Sequence, residues 1–223
     1  MKEKNLQRDV FSDSEGNNFF FRNEKELAKP NLARDMTVER ISHHLVGMET
    51  CRVLEVGCAS GANLNALNSV IPIQGFGIEP SSDAIRAGQL AFPNLNLKIG
   101  TADVLPFDDG FMDVIWYGFC LYLIDRVFLH RVVAEADRVL KDGGLIVIHD
   151  FDPGAPSVRP YRHYPGVNSY KMDYSAFFLC DPAYSLVEKL SLTHLDAHWS
   201  ADAQQRLGLW FCRKNVQLGY RPG

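Results

Sequence analysis

Residues 53–61, Val-Leu-Glu-Val-Gly-Cys-Ala-Ser-Gly, constrain this chain more than any other segment. Val53, Leu54 and Val56 read as the end of a buried parallel strand that carries one acid, Glu55. Gly57 and Gly61 bracket a turn, and Ala62–Asn68 continues with helical character. A strand feeding a glycine loop and then a helix makes a ligand site. Glycine lets the backbone approach the ligand, and the helix N-terminus offers unpaired N–H groups and a partial positive charge. The G-x-G-x-x-G spacing of a dinucleotide loop is not met, because Ala59 and Ala62 stand where two of its glycines belong.

The pattern then repeats. Strands read at about 52–56, 73–78, 95–99, 112–118 and 144–149, with helices near 62–69, 82–91 and 126–140. Right-handed crossovers force such an alternation into a doubly wound α/β fold with a mostly parallel sheet. Two further strands read at 184–194 and 206–213. Four regions are expected: a helical cap at 1–50, a cofactor-binding core at 51–150, a substrate loop or lid at 151–183, and a strand pair at 184–223 that completes the sheet. In the cap, the first dozen residues are read as loose and Phe19-Phe20-Phe21 as an aromatic cluster. Pro30 marks a break, and a helix follows from about Asn31, its N-cap, to Val46.

Glu79 ends the second strand 18 residues after Gly61. That is close to the roughly 20-residue spacing of a carboxylate that grips ribose hydroxyls. The loop itself resembles the first motif of class I S-adenosylmethionine-dependent methyltransferases, acid-x-G-x-G-x-G, with Glu55, Gly57 and Gly61 in place and Ala59 as a small replacement. Thr101-Ala-Asp103-Val104 resembles the same family's acidic motif at the adenine ring. Asp108–Trp116 resembles its fourth strand, and Arg138–His149 its glycine turn and fifth strand. The resemblance covers about residues 50–150 in order. It implies a Rossmann-like seven-stranded sheet with the last strand antiparallel, and S-adenosyl-L-methionine as cofactor. The cofactor site it implies is Glu55, Gly57, Cys58 through its backbone, Gly61, Glu79, Ala102, Asp103, Val104 and Phe119.

Composition narrows the setting. The 223 residues suit one domain, or one domain with a sizeable insert, and 46% hydrophobic residues supply a core. No apolar run reaches the roughly 18 residues of a membrane span, and the first residues lack a signal-peptide core. Five cysteines without a C-x-x-C pair fit thiols in a reducing, cytoplasmic setting. Residues 51–150 carry 7 basic and 12 acidic groups, and residues 151–223 carry 8 and 6. No long Lys/Arg stripe exists, which argues against DNA or structured RNA; the expected partner is a small-molecule acceptor of anionic or saccharide type, with no nucleic acid and no membrane. The Phe19–Asn23 segment resembles bacterial methyltransferases that decorate surface polysaccharides and their nucleotide-linked precursors, which implies a saccharide acceptor.

Methyl transfer from a sulfonium is an in-line displacement that needs alignment and exclusion of water. Trp116, Tyr117, Phe119 and Tyr122 stand at or beyond the fourth strand's carboxyl end, where aromatic faces favour a cation, although Trp116 reads as core. An oxygen nucleophile needs a base unless already ionised, and His149, Asp150 and His163 are the candidates. Adjacent strand residues point to opposite faces, so at most one of His149 and Asp150 reaches the substrate directly. Tyr122, Arg159, Tyr161, Arg162, Tyr164 and Lys171 interleave rings and cations as a substrate wall for a ring and an anionic group such as phosphate. No metal site is expected, since no ligand spacing repeats. Three readings stay open: a methyltransferase; a nicotinamide-dependent oxidoreductase or epimerase, weakened by the missing glycines and the lack of a Tyr-x-x-x-Lys pair after the fourth strand; and a module that holds the cofactor without turnover.

Overall fold

The computed structural model describes residues 6–27, 29, 31–194 and 196–220. Pro30, read as a helix break, lies outside the described residues. The strands are β1 (Cys51–Val56), β2 (Ile73–Glu79), β3 (Asn96–Ile99), β4 (Met112–Gly118), β5 (Leu140–Phe151), β6 (Ser157–Pro160), β7 (Asn168–Lys171), β8 (Tyr184–Leu192) and β9 (Leu207–Lys214). Seven form one sheet in the order β3-β2-β1-β4-β5-β9-β8. The first five are parallel, and β9 runs antiparallel to both β5 and β8. Strand order reverses between β1 and β4, which opens a crevice at their carboxyl ends.

Helices cover both faces, which is why β1 is apolar on both. Val53 joins α3 (Leu32–His44), α4 (Ala62–Asn68) and α5 (Ser82–Ala91) on one side. Leu54 and Val56 join α6 (Leu129–Val139) and α7 (Ala176–Leu179) on the other. Asn31 caps α3 by accepting from Arg34 N at 3.0 Å. A short α8 (Val216–Gly219) follows β9.

Two expectations are corrected. Of the first dozen residues, 1–5 lie outside the described residues, and those that follow are not loose. Gln7–Val10 (α1) is helical and continues through a π-helical stretch, Phe11–Glu15, into Gly16–Leu27 (α2) as one rod with helical dihedrals at both junctions. Gln7, Val10, Glu15 and Phe20 are its buried side chains. Residues 150–183 are also not plain loop, because β6 and β7 pair there as an antiparallel ribbon. Pro160 fits because the ribbon is a small sheet with open edges. Strand β8 ends at Leu192, so His194 lies in a bend beyond it.

Candidate functional site

A cavity of about 220 Å³ opens at the carboxyl ends of β1, β2 and β4. Its floor is the glycine loop. Gly57, Ala59 and Gly61 all take positive φ, at 74°, 46° and 81°. Ala59 is the strained one, since an alanine resists the left-handed region. The loop is tied to β2: Gly57 N and Cys58 N donate to Ile78 O at 2.8 and 3.3 Å. Ala59 N donates to Glu79 Oε2 at 3.1 Å, and Ser81 N to Glu79 Oε1 at 3.0 Å. Burial pushes the Glu79 carboxyl above its usual range, and these two amides oppose that.

Asp103 lines another wall of the cavity and is buried. It pairs with Arg8 Nη1 at 3.1 Å, and the Arg8 guanidinium lies 4.4 Å from the centre of the Phe128 ring. Gly118–Cys120 close the cavity beyond β4. Phe119 also has positive φ, 63°, held by its N–H on His149 O at 2.8 Å. Its ring packs on Phe151 at 4.8 Å and Tyr122 at 5.2 Å.

The rod at residues 7–27 roofs the cavity with Arg8, Phe11, Phe19 and Phe20. Gln7 Nε2 donates to Leu123 O and Asn168 O, both at 3.0 Å, while its Oε1 accepts from Asn168 N at 2.8 Å. Asn17 Oδ1 accepts from Ser81 Oγ at 2.8 Å and Asp83 N at 3.2 Å. Buried Glu15 pairs with Arg22 and accepts from the Tyr161 hydroxyl at 3.1 Å. The roof is thus fastened to α5 on one side and to the β6–β7 ribbon on the other.

The structure sorts the expected site residues. Gly57, Glu79, Ala102, Asp103 and Phe119 line the cavity. Glu55, Cys58, Gly61 and Val104 do not. Glu55 is fully buried, with Oε1 accepting from Asn63 Nδ2 at 2.6 Å and Oε2 without a protein partner. Burial raises its pKa to about 8. The Cys58 sulfur packs where a Gly77 side chain would stand. Gly61 is boxed by Leu95 and Leu97 and starts α4, and Val104 faces solvent.

The proposed bases are displaced too. Asp150 is enclosed, its carboxylate accepting from Tyr122 N at 3.2 Å and Phe151 N at 2.8 Å. Burial raises it to about 7, and it acts as a pin for the turn after β4. The His149 ring lies tilted against Phe119 at 5.1 Å with Nε2 shielded and unpartnered, and burial lowers its pKa to about 4. His163 and Arg162 lie on the exposed turn of the ribbon, where His163 meets the Tyr161 ring edge at 5.2 Å. Tyr164 supports that turn through its N–H on Tyr161 O. Tyr122 and Tyr161 stand nearer the cavity, Tyr161 with its ring 6.1 Å from that of Phe11. Arg159 and Lys171 are diagonal neighbours on one face of the ribbon. Sequence reasoning missed Gln7 and Arg8, which carry no local motif; only the Phe19–Phe20 cluster signalled the roof. Among the described residues, no three His, Cys, Asp or Glu side chains converge to hold a metal, and no helix is long and apolar enough to cross a membrane.

The cavity suits an adenosyl sulfonium. Three carboxylates, those of Glu79, Asp103 and Asp125, line it, a glycine floor admits close approach, and the Glu55 Oε1 that accepts from Asn63 lies where a Gly118 side chain would stand. Comparison with known proteins agrees. Residues 54–148 match the family described as "Methyltransferase domain". A Bacillus subtilis protein, "Putative 23S rRNA (guanine-N(1)-)-methyltransferase YxjB", is 31% identical over 120 residues, which take in 51% of this chain and 38% of that one. The chain spans less than half the length of the first curated relatives it matches. A Methanosarcina mazei SAM-dependent methyltransferase superposes with TM-score 0.63 at 20% identity, covering 79% of this chain and 97% of that one. A methyltransferase solved in complex with the Haloferax volcanii Trm112 activator gives 0.61 at 21% identity, covering 82% and 93%. These matches correct the expected partners. A relative named for ribosomal RNA and a fold neighbour with a protein activator remove the ground for excluding nucleic acid and for expecting a small-molecule acceptor. The absence of a Lys/Arg stripe was a weak argument, because a fold gathers cations from distant segments, as Arg22 and Arg162 beside His163 show.

Proposed function

We propose, from the match of residues 54–148 to the methyltransferase domain family and from the fold shared with a solved SAM-dependent methyltransferase, that the chain transfers a methyl group from S-adenosyl-L-methionine to an acceptor brought against Phe119 and Tyr122. The observation that carries this reading is the convergence of the glycine loop, Glu79 and Asp103 on one roofed cavity. When bound, the sulfonium supplies the methyl group to an in-line nucleophile.

The chain's own residues do the rest. Glu79 accepts from the ribose hydroxyls with lone pairs left by Ala59 and Ser81. Asp103 accepts at the adenine end, and Ala102 flanks the ring. Phe11, Phe19 and Phe20 exclude water from above.

The oxygen nucleophile expected from the sequence enters this reading as a hydroxyl that ionises on its own, of phenol or enol type. His149 is shielded and weakly basic, Asp150 is enclosed, and His163 is remote, so none presents a base to the cavity.

The test is incubation with methyl-labelled S-adenosylmethionine and separate metabolite, RNA and protein fractions, beside calorimetry with S-adenosylhomocysteine. Label in one fraction, lost with Asp103→Ala, is the expected result. No S-adenosylhomocysteine binding at saturation and no label in any fraction overturns the reading.

A further inference from the structure

Two cations on the β6–β7 ribbon have no ion-pair partner within 4.0 Å among the described residues. Register pairs Ser157 with Lys171 and Arg159 with Ser169, so Arg159 and Lys171 are diagonal neighbours on one face of the ribbon. Neither makes an ion pair or hydrogen bond among the described residues. The Lys171 ammonium instead lies 3.5 Å from the centre of the Phe151 ring. Burial lowers the Lys171 pKa and Arg159 lowers it further, while Asp150 opposes both. Asp150 acts on Lys171 only from a distance, since no nitrogen–oxygen contact within 4.0 Å joins the two.

Holding two like charges together, one of them partly buried, is unfavourable until an anion joins them. The position gives that anion a purpose. Phe151 packs on Phe119 at 4.8 Å and on Tyr122 at 5.1 Å, and Phe119 lines the cofactor cavity. Lys171 therefore stands one ring away from the wall of that cavity.

We propose that Lys171 and Arg159 seat a phosphate-type anionic group of the methyl acceptor, placing the acceptor's reacting end against Phe119 and Tyr122. This rests on the methyltransferase reading and specifies its acceptor. Arg159 supplies a planar two-pronged donor and Lys171 a point charge held by the Phe151 face. The group belongs either to a terminal phosphate or to a phosphodiester of a nucleic-acid strand.

The test uses the full chain loaded with S-adenosylhomocysteine and titrated with inorganic pyrophosphate, followed by amide chemical shifts. Lys171→Gln and Arg159→Gln each weaken pyrophosphate binding by at least about tenfold, whereas Lys171→Arg retains it. S-adenosylhomocysteine affinity stays unchanged in all three. Pyrophosphate that fails to bind the loaded wild type, or that binds Lys171→Gln as well as wild type, overturns the proposal. Failure of the wild type to load with S-adenosylhomocysteine overturns the methyltransferase reading instead. A short single-stranded RNA in place of pyrophosphate separates the sources. Tighter binding than pyrophosphate, lost in the same variants, assigns a phosphodiester; binding no tighter assigns a terminal phosphate.

Discussion

Glu79 is held by its own surroundings before any ligand arrives. Backbone amides of Ala59 and Ser81 fix one oxygen each, so the carboxylate keeps its direction without a neighbouring cation. Removing it deletes a charged acceptor and frees two amides. Glu79→Ala weakens S-adenosylhomocysteine binding by about 1.5–3 kcal/mol in calorimetry, and an unchanged dissociation constant rejects the ribose role. Glu55 tests burial rather than binding. Its folded pKa, about 8, lies above the unfolded value, chiefly through desolvation. Its contribution to stability is therefore complete below about pH 4.3 and is lost as pH rises towards 8. Urea melts across that window show wild type losing stability and Glu55→Gln losing less. Parallel losses in both proteins rule out Glu55 as the source. Both acids were legible in the sequence, because strand ends and glycine spacing locate them. That Glu55 lies beneath the floor was not, because strand alternation does not say how deep a side chain is covered.

At the scale of elements, the roof and the ribbon act together. Gln7 alone satisfies Leu123 O and both backbone groups of Asn168. Gln7→Ala strands three backbone groups and destabilises the chain by about 1–3 kcal/mol in denaturant melts, with weaker S-adenosylhomocysteine binding alongside. Full cofactor affinity in that variant means the roof does not bear on the cavity. The same links change what deletion of residues 155–170 does. From the sequence this segment reads as an acceptor loop whose loss spares the cofactor. In the structure it carries Tyr161 and Asn168, which hold Glu15 and Gln7, so its deletion weakens cofactor binding too. The ribbon stayed hidden because a four-residue strand leaves little periodicity to read. The opening helix stayed hidden because Gln7, Arg8 and Glu15 are polar residues buried by partners far along the chain.

For the whole molecule, ligand and fold are coupled through one cavity bounded by the sheet edge and the N-terminal rod. A ligand bound only by the folded state, at a hundred times its dissociation constant, adds about 2.7 kcal/mol. For a chain of this length that raises the melting temperature by about 5–11 °C. Thermal scans with S-adenosylhomocysteine show this rise, and NAD leaves the transition where it was. A shift with NAD alone points back to the oxidoreductase reading.

The sequence by itself determined the sheet, its crevice and the two acids at strand ends, because periodicity, glycine spacing and right-handed crossovers act over short stretches of chain. Only the tertiary structure decided which residues close the cavity, which histidine is shielded, and which cations stand together. Those outcomes depend on contacts between residues more than a hundred positions apart, such as Gln7 with Asn168 and Glu15 with Tyr161, and no local pattern encodes them.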